Sequence, residues 1–219
     1  MPMTSDAPQF GRDPAPDCRL CPRLVEFRER NRAALPAYFN GAVAGFGAAA
    51  PWLLIVGLAP GLHGANRTGR PFTGDYAGDL LYETLDRYGL SRGTYGKEAN
   101  DGLELIGCRI SNAVHCVPPQ NKPTPEEAAT CRPYLRTEIA ANPELEVLIA
   151  LGAIAHDAIL RILGVRKAAY PFAHGAVHRL PGGLTLVDSY HCSRYNTNTR
   201  RLTPEMFHRV FEIALSLKS

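Results

Sequence analysis

The stretch PWLLIVG at residues 51–57 decides the fold class. It is an unbroken apolar run closed by Gly57, with none of the alternation of a half-exposed strand. Such a run suits a strand covered on both faces, as in a parallel sheet. Three more strand candidates follow, at 108–114 around RISNAV, at 147–151 (VLIAL) and at 184–188 (LTLVD). Helical patterns occupy 18–35, 78–88, 125–141 and 153–163. Thr203 opens a last helix whose Phe207, Val210, Phe211, Ala214 and Leu217 form one apolar stripe. Thr124 and Thr203 each read as an N-cap with proline at the first helical position. Strands alternating with helices predict an α/β domain with a mainly parallel sheet. Residues 1–16 are polar and proline-rich and read as a disordered leader. That leaves 17–219 as a single domain, with no repeat or linker to divide it.

Lys and Arg number 24 and Asp and Glu 21, for a formal charge of +3, with 45% hydrophobic and 21% charged residues. This ordinary globular composition excludes wholesale disorder, a coiled coil and a histone-like polycation. The distribution says more than the sum. Residues 1–160 carry 15 basic and 18 acidic side chains, residues 161–219 nine and three. The basic C-terminal part fits either an anionic partner or a solvated basic face. The N-terminal stretch lacks the apolar core of a signal peptide, and no apolar run approaches the roughly 20 residues of a membrane helix. A cytoplasmic protein with no membrane partner is expected. Six reduced cysteines there suggest metal binding or burial before disulfides.

Cys18 and Cys21 form CxxC, and Cys116 and Cys131 lie far downstream at loop or element ends. Four such thiols suit zinc or an iron–sulfur cluster, and the lack of a second CxxC tilts the reading to a cluster. Burial as small hydrophobes is the plain alternative. Cys108, inside a strand run, reads as core.

Ligands in open α/β sheets bind beyond the C-terminal ends of strands. Three polar loops leave such ends, at 58–79, 115–123 and 189–202, and a single site built from all three is the simplest expectation. The first reads GLAPGLHGANRTGRPFTGD from Gly57, with five glycines and neither GK[ST] nor GxGxxG. Its one aromatic residue, Phe72, either stacks on a planar ligand or plugs the core. Its one carboxylate, Asp75, is an acid/base candidate or the cap of the next helix. The second loop, HCVPPQNKPTPEE, is stiffened by four prolines and offers Gln120 and Asn121, with Asn112 on the strand before it. The third, SYHCSRYNTNTRRLT, sets His191 and Ser193 among Arg194, Tyr195, Asn196, Arg200 and Arg201. Basic residues interleaved with an aromatic suit a nucleic-acid strand.

These motifs resemble those of the family-5 (type B) uracil-DNA glycosylases. CRLCPRL at 18–24, GLAPGLHGANRTGRPFTGD at 57–75, AVHCVPPQNKPTPEE at 113–127 with Cys131, and SYHCSRYNTNTRRLT at 189–203 agree in order and spacing. The resemblance implies a three-layer α/β/α sandwich around a four-stranded parallel sheet. It implies a structural [4Fe-4S] cluster on Cys18, Cys21, Cys116 and Cys131. It implies excision of uracil, and of deaminated bases such as hypoxanthine and xanthine, from DNA by a bacterial or archaeal monomer associated with the nucleoid. Asp75, His191 and Asn121 take the catalytic positions. Gly57, Ala59, Phe72, Asn112 and Ser193 take base-binding positions, and Arg67, Arg194, Tyr195, Asn196 and Arg200 the DNA face. Two departures stand out. The start of the first motif, Gly57-Leu58-Ala59-Pro60-Gly61, lacks the polar side chain of better-known branches, which moves the water role to Asp75. Cys192 stands where many relatives have proline. A damage-binding protein that does not cleave, and an iron–sulfur electron carrier, are the competing readings. The intact Asp75, Asn121 and His191 weigh against the first, and the dispersed cysteines against the second.

Overall fold

A computed structural model describes residues 11–219. Its strands are β1 (Phe46–Gly47), β2 (Leu53–Gly57), β3 (Ser91–Arg92), β4 (Glu104–Leu105), β5 (Cys108–Asn112), β6 (Val147–Leu151), β7 (Val177–Arg179) and β8 (Thr185–Ser189). Its α-helices are α1 (Pro22–Ala34), α2 (Ala65–Thr68), α3 (Tyr76–Arg87), α4 (Pro125–Ala140), α5 (Ala153–Ile162), α6 (Arg194–Asn198) and α7 (Pro204–Ser216).

The main sheet runs β1-β5-β2-β6-β8-β7. Its inner four strands are parallel, and every residue in them is buried. The expected four strands are therefore present, but the sheet has six. The extra two are short antiparallel edges, β1 on β5 and β7 on β8. Two and three residues are too few to carry a periodic signal, and β1 falls in a glycine- and alanine-rich stretch that reads as loop. A separate ribbon pairs β3 with β4.

Successive side chains of β2 point to opposite faces. Leu53 and Ile55 pack with Leu81 and Leu85 of α3 and Phe207, Val210 and Phe211 of α7. Leu54 and Val56 pack with Leu135 and Ile139 of α4 and Ala155 and Ile159 of α5. Helices thus cover both faces, giving the three layers expected. Helix α4 starts with a complete capping box between Thr124 and Glu127, and α7 with Thr203 accepting from the Met206 amide, as their sequences predict. Helix α1 begins later than the pattern at 18–35 suggests. Cys21 is its extended N-cap and Pro22 its first residue, because proline is favoured at a helix start and excludes an earlier one.

The leader expected at 1–16 lies outside the described residues as far as 10. From Arg12 onward the chain is tied down: Arg12 donates to the Ala49 carbonyl, Asp13 accepts from the Gly45 amide and pairs with Arg109, and the Pro16 carbonyl accepts from Ala42. No helix among the described residues is long and apolar enough to cross a membrane.

Leu54 is fully buried in the middle of the sheet. Leu54→Ala should lower stability by about 2–5 kcal/mol in equilibrium denaturation, with the m-value unchanged, because the cavity it leaves is walled by packed strands.

Candidate active site

All three polar loops meet in one cleft of about 420 Å³ beyond the C-terminal strand ends. The first loop supplies Leu58 to Gly61, Phe72 and Asp75 to Ala77. The end of β5 supplies Asn112, the second loop Asn121, and the third His191, Ser193 and Arg194. Of the expected residues, Ala59, Phe72, Asp75, Asn112, Asn121, His191, Ser193 and Arg194 therefore come together.

The register of the sheet sets the floor. Gly57 ends β2 directly opposite Asn112, the end of β5. A Cβ on Gly57 would lie 2.5 Å from Asn112 Oδ1 and 2.6 Å from the Phe72 ring. Glycine here lets the amide and the ring close over the strand end. Phe72 is only 7% exposed, so it fills the core edge and lines the cleft at once. Asn112 is buried, and its Oδ1 has no hydrogen-bond partner among the described residues. A buried, unpaired amide oxygen is costly unless something else bonds it.

Asp75 plays both roles that the sequence leaves open. It caps α3, with Oδ1 accepting from the Gly78 amide at 3.1 Å. Its Oδ2 faces the glycine loop, where a Cβ on Gly64 would collide with it. Glycine at 64 keeps this oxygen clear.

The His191 ring stacks on Phe72, with centroids 5.9 Å apart and planes 27° apart. It has no side-chain hydrogen bond among the described residues. Burial pushes its pKa below the usual histidine value, and the Asp75 carboxylate pulls it partly back. The ring is thus held neutral near pH 7, with one N–H to donate and one nitrogen to accept. The backbone around it is pinned: Asn196 Nδ2 donates to the His191 carbonyl at 2.8 Å, and Cys192 Sγ donates to the Ala77 carbonyl at 3.4 Å. Cys192 is fully buried, as is Cys108. Asn121 stands exposed at the rim in a left-handed turn after Gln120, both with φ of 56°.

The candidates for a DNA face divide. Arg194 lies at the cleft mouth with its guanidinium 5.5 Å from the Tyr76 ring centroid, and Tyr195 is 73% exposed. Arg200 is also exposed, in a left-handed turn. Ser193 caps α6. Asn196 spends its amide on the His191 carbonyl. Arg67 lies outside the cleft, bonded to Glu98 at 2.7 Å and to the Lys97 carbonyl at 3.2 Å. Tyr76 is a cleft residue that sequence reading passes over, since a tyrosine at a helix start carries no signal of its own. His156, in α5, is fully buried between Asp188 Oδ1 at 2.7 Å and the Tyr170 carbonyl at 2.9 Å, and His178 takes the other Asp188 oxygen at 3.1 Å. The three form a compact acid–histidine cluster. Both ring nitrogens of His156 are already bonded, so the cluster is a polar strut for the end of β8.

The four cysteines singled out by spacing line a second, small cavity with Leu24, Val114, His115 and Tyr134. Cys18 and Cys21 precede α1, Cys116 follows β5 and Cys131 lies in α4. Among the described residues only His156, His178 and Asp188 bring three ligand atoms within 4.8 Å of one another. The thiols are therefore spread wider than the coordination sphere of one zinc. The His115 amide donates to Cys131 Sγ at 3.4 Å, and the buried Arg28 guanidinium lies 3.9 Å from Cys116 Sγ. Burial pushes Cys116 up to about 11 and Cys131 up to about 12. A donor set of four thiols with amide and cation support fits an anionic iron–sulfur group.

The shift at His191 can be read directly. Titration of its ring by NMR should give a pKa below about 6.5, the ordinary value. Asp75→Asn, which can still cap α3, should move it lower still, because the carboxylate is what raises it. The sign for stability follows. A folded-state pKa below the unfolded one means that the His191 contribution is intact above about 6.5 and declines as the pH falls below it.

The model of the uracil DNA glycosylase superfamily matches residues 44–214. The chain is 50% identical over 198 residues to a type-5 uracil-DNA glycosylase of Thermus thermophilus, covering 88% of this chain and 90% of that one. It is 45% identical over 208 residues to a type-5 uracil-DNA glycosylase of Mycobacterium leprae, covering 91% of each. It is 40% identical over 203 residues to one of Pyrobaculum aerophilum, covering 90% and 88%. With the sheet, the cleft and these likenesses in agreement, the chain belongs to the uracil-DNA glycosylase superfamily.

Proposed function

We propose that this protein hydrolyses the N-glycosidic bond of uracil in DNA and leaves an abasic site, the first step of base excision repair. The observation that carries this reading is the convergence of three polar groups around the Phe72 ring in one cleft: Asp75 Oδ2, the neutral His191 ring and the unpaired Asn112 Oδ1. A base stacked in a duplex is out of reach of such a cleft, so the nucleotide must first be flipped out. Phe72 then offers a face for the base to stack on, and Asn112 a buried group to bond its edge, which would relieve the cost of the unpaired amide.

Cleavage breaks the bond between the sugar C1′ and the base nitrogen. The electron pair stays on the base, which leaves as an anion, and the sugar becomes oxocarbenium-like. His191 donates its N–H to a base carbonyl and stabilises the growing negative charge. Asp75 offsets the positive sugar, orients a water toward C1′ and accepts its proton. Asn121, at the rim, holds that water or the base. Ala59, with Gly61 beside it, leaves room for larger deaminated bases, and hypoxanthine and xanthine belong to the proposal. Arg194 and Arg200 contact phosphates, and exposed Tyr195 fills the space the base vacates. A protein that binds damage without cleaving has no need for Asp75, His191 and Asn121 in one cleft.

Cys18, Cys21, Cys116 and Cys131 hold a [4Fe-4S] cluster in this proposal. Its contribution when bound is structural. Cys116 and Cys131 bracket the loop that carries Asn121, and Cys18 and Cys21 join both to α1.

Incubation with a uracil-containing oligonucleotide, then alkali, should give strand breaks at uracil, and their absence there would overturn the activity. Asp75→Ala and His191→Ala should each lower the single-turnover rate by about 10²–10³ while DNA binding is retained. Protein prepared anaerobically should be brown and carry about four irons per chain, and a colourless, iron-free preparation would remove the cluster. Cys131→Ser should lose both colour and iron.

A further inference from the structure

The bend that presents Phe72 and Asp75 is an improbable piece of chain. Phe72 has φ of 53° and Gly74 of 92°, only two residues apart. A bulky residue in the left-handed region costs about 1–3 kcal/mol and persists only where its surroundings over-determine it. Those surroundings come from the excursion between α3 and β5, the β3–β4 ribbon and its tip. Tyr95 Oη accepts from the Gly74 amide at 3.1 Å and donates to the Phe72 carbonyl at 3.4 Å. Its ring stacks on Tyr82 with centroids 4.4 Å apart. Asp101 receives both Arg70 Nη atoms at 2.7 Å, with the Gly96 and Leu103 amides. Both side chains of that pair are nearly inaccessible, at 3% and 5%. Arg70 Nε in turn donates to Thr73 Oγ1 at 2.8 Å, and its guanidinium lies among the rings of Phe46, Tyr82 and Tyr95. Farther out, Glu98 pairs with Arg67 and Lys97 with Asp79. The tip therefore grips the chain at 67, 70, 72, 74 and 79, on both sides of Phe72 and Asp75.

We infer that the ribbon tip at 95–101 is a brace for the reacting groups, with Tyr95 and Asp101 as positioning residues that act through Phe72 and Asp75. Neither lines the cleft. Tyr95 is the more telling of the two, because its hydroxyl bonds the backbone on both sides of Thr73. Asp101 fixes the tip itself: the Arg70 pair holds its carboxyl down at about 2, so the anchor stays ionised wherever the enzyme works. The inference rests on the roles given above to Phe72 and Asp75.

Tyr95→Phe keeps the ring and its stack on Tyr82 and removes only the hydroxyl. On uracil-containing DNA it should lower kcat on the order of tenfold. KM should be unchanged and the melting temperature should move by only a few degrees. The same substitution in an Asp75→Ala background should cost clearly less than that tenfold, since one of its two targets is already gone and only the hold on Phe72 is left to lose. NMR supplies a reading free of turnover: in Tyr95→Phe, His191 should titrate lower as the Asp75 carboxylate drifts from it. Three results overturn the brace: a wild-type kcat in Tyr95→Phe, an equal fractional loss in both backgrounds, or a loss confined to KM. Those results leave the site reading standing if Asp75→Ala is itself slow. A normal rate in Asp75→Ala removes the site reading and the brace together.

Discussion

Everything at the cleft depends on the burial of β2 on both faces and along both edges. Its backbone pairs with β5 on one side and β6 on the other, and its side chains enter both core clusters. A strand so enclosed cannot slip by one residue without exchanging its two apolar sets. The register with β5 is therefore fixed at Gly57 opposite Asn112, and β8 is fixed through β6 at Leu151 opposite Ser189. Asn112 ends β5 at that edge, and the loops that carry Phe72 and His191 leave from it. The placement of the strand ends is thus inherited from hydrophobic burial, and polar contacts then orient the loops that leave them.

The parts of this arrangement legible in the sequence are those written in local patterns. PWLLIVG and VLIAL announce buried strands because no polar residue interrupts them, and Thr-Pro marks the starts of α4 and α7 because capping is a property of a few adjacent residues. The three loops were legible as one site because parallel strands send their C-terminal ends to one edge. What was not legible depends on contacts between distant residues. Arg67 reads as a free cation until the ribbon brings Glu98 to it, 31 positions away. Asn196 reads as a DNA contact, and only the fold shows its amide turned to the His191 carbonyl. Edge strands β1 and β7 are too short for periodicity, and their pairing is decided by the neighbour they meet.

Asp75 shows why the structural and functional readings of one residue need not compete. A carboxylate has two oxygens, and a helix N-terminus needs only one of them. Capping through Oδ1 locks the side chain in one rotamer and leaves Oδ2 aimed at the glycine loop. Fixing a group this way removes the conformational freedom that would otherwise be lost in the reaction. The same economy holds at His191. The burial that keeps the ring neutral also stacks it against Phe72, so its charge state and its orientation have one cause.

Two scaffolds of opposite chemistry then flank the cleft. On the side of the first loop, the ribbon relies on a buried ion pair and aromatic rings around Arg70. On the side of the second loop, the four cysteines line a small cavity beside α1 and α4, and the Arg23 pair with Glu127 ties α1 to the capping box of α4. Each lies beside a loop whose backbone adopts left-handed angles at residues other than glycine: Phe72 on one side, and on the other Gln120 and Asn121, followed by Lys122, whose carbonyl accepts from Arg23. Strained backbone needs more restraint than a short loop can supply from within. The neighbouring apolar core cannot supply it, because dispersion contacts fix volume better than they fix direction. Directional bonds from outside the loop can. This accounts for the buried Arg70–Asp101 pair beside one turn and for the Arg23 guanidinium that reaches the Lys122 carbonyl beside the other.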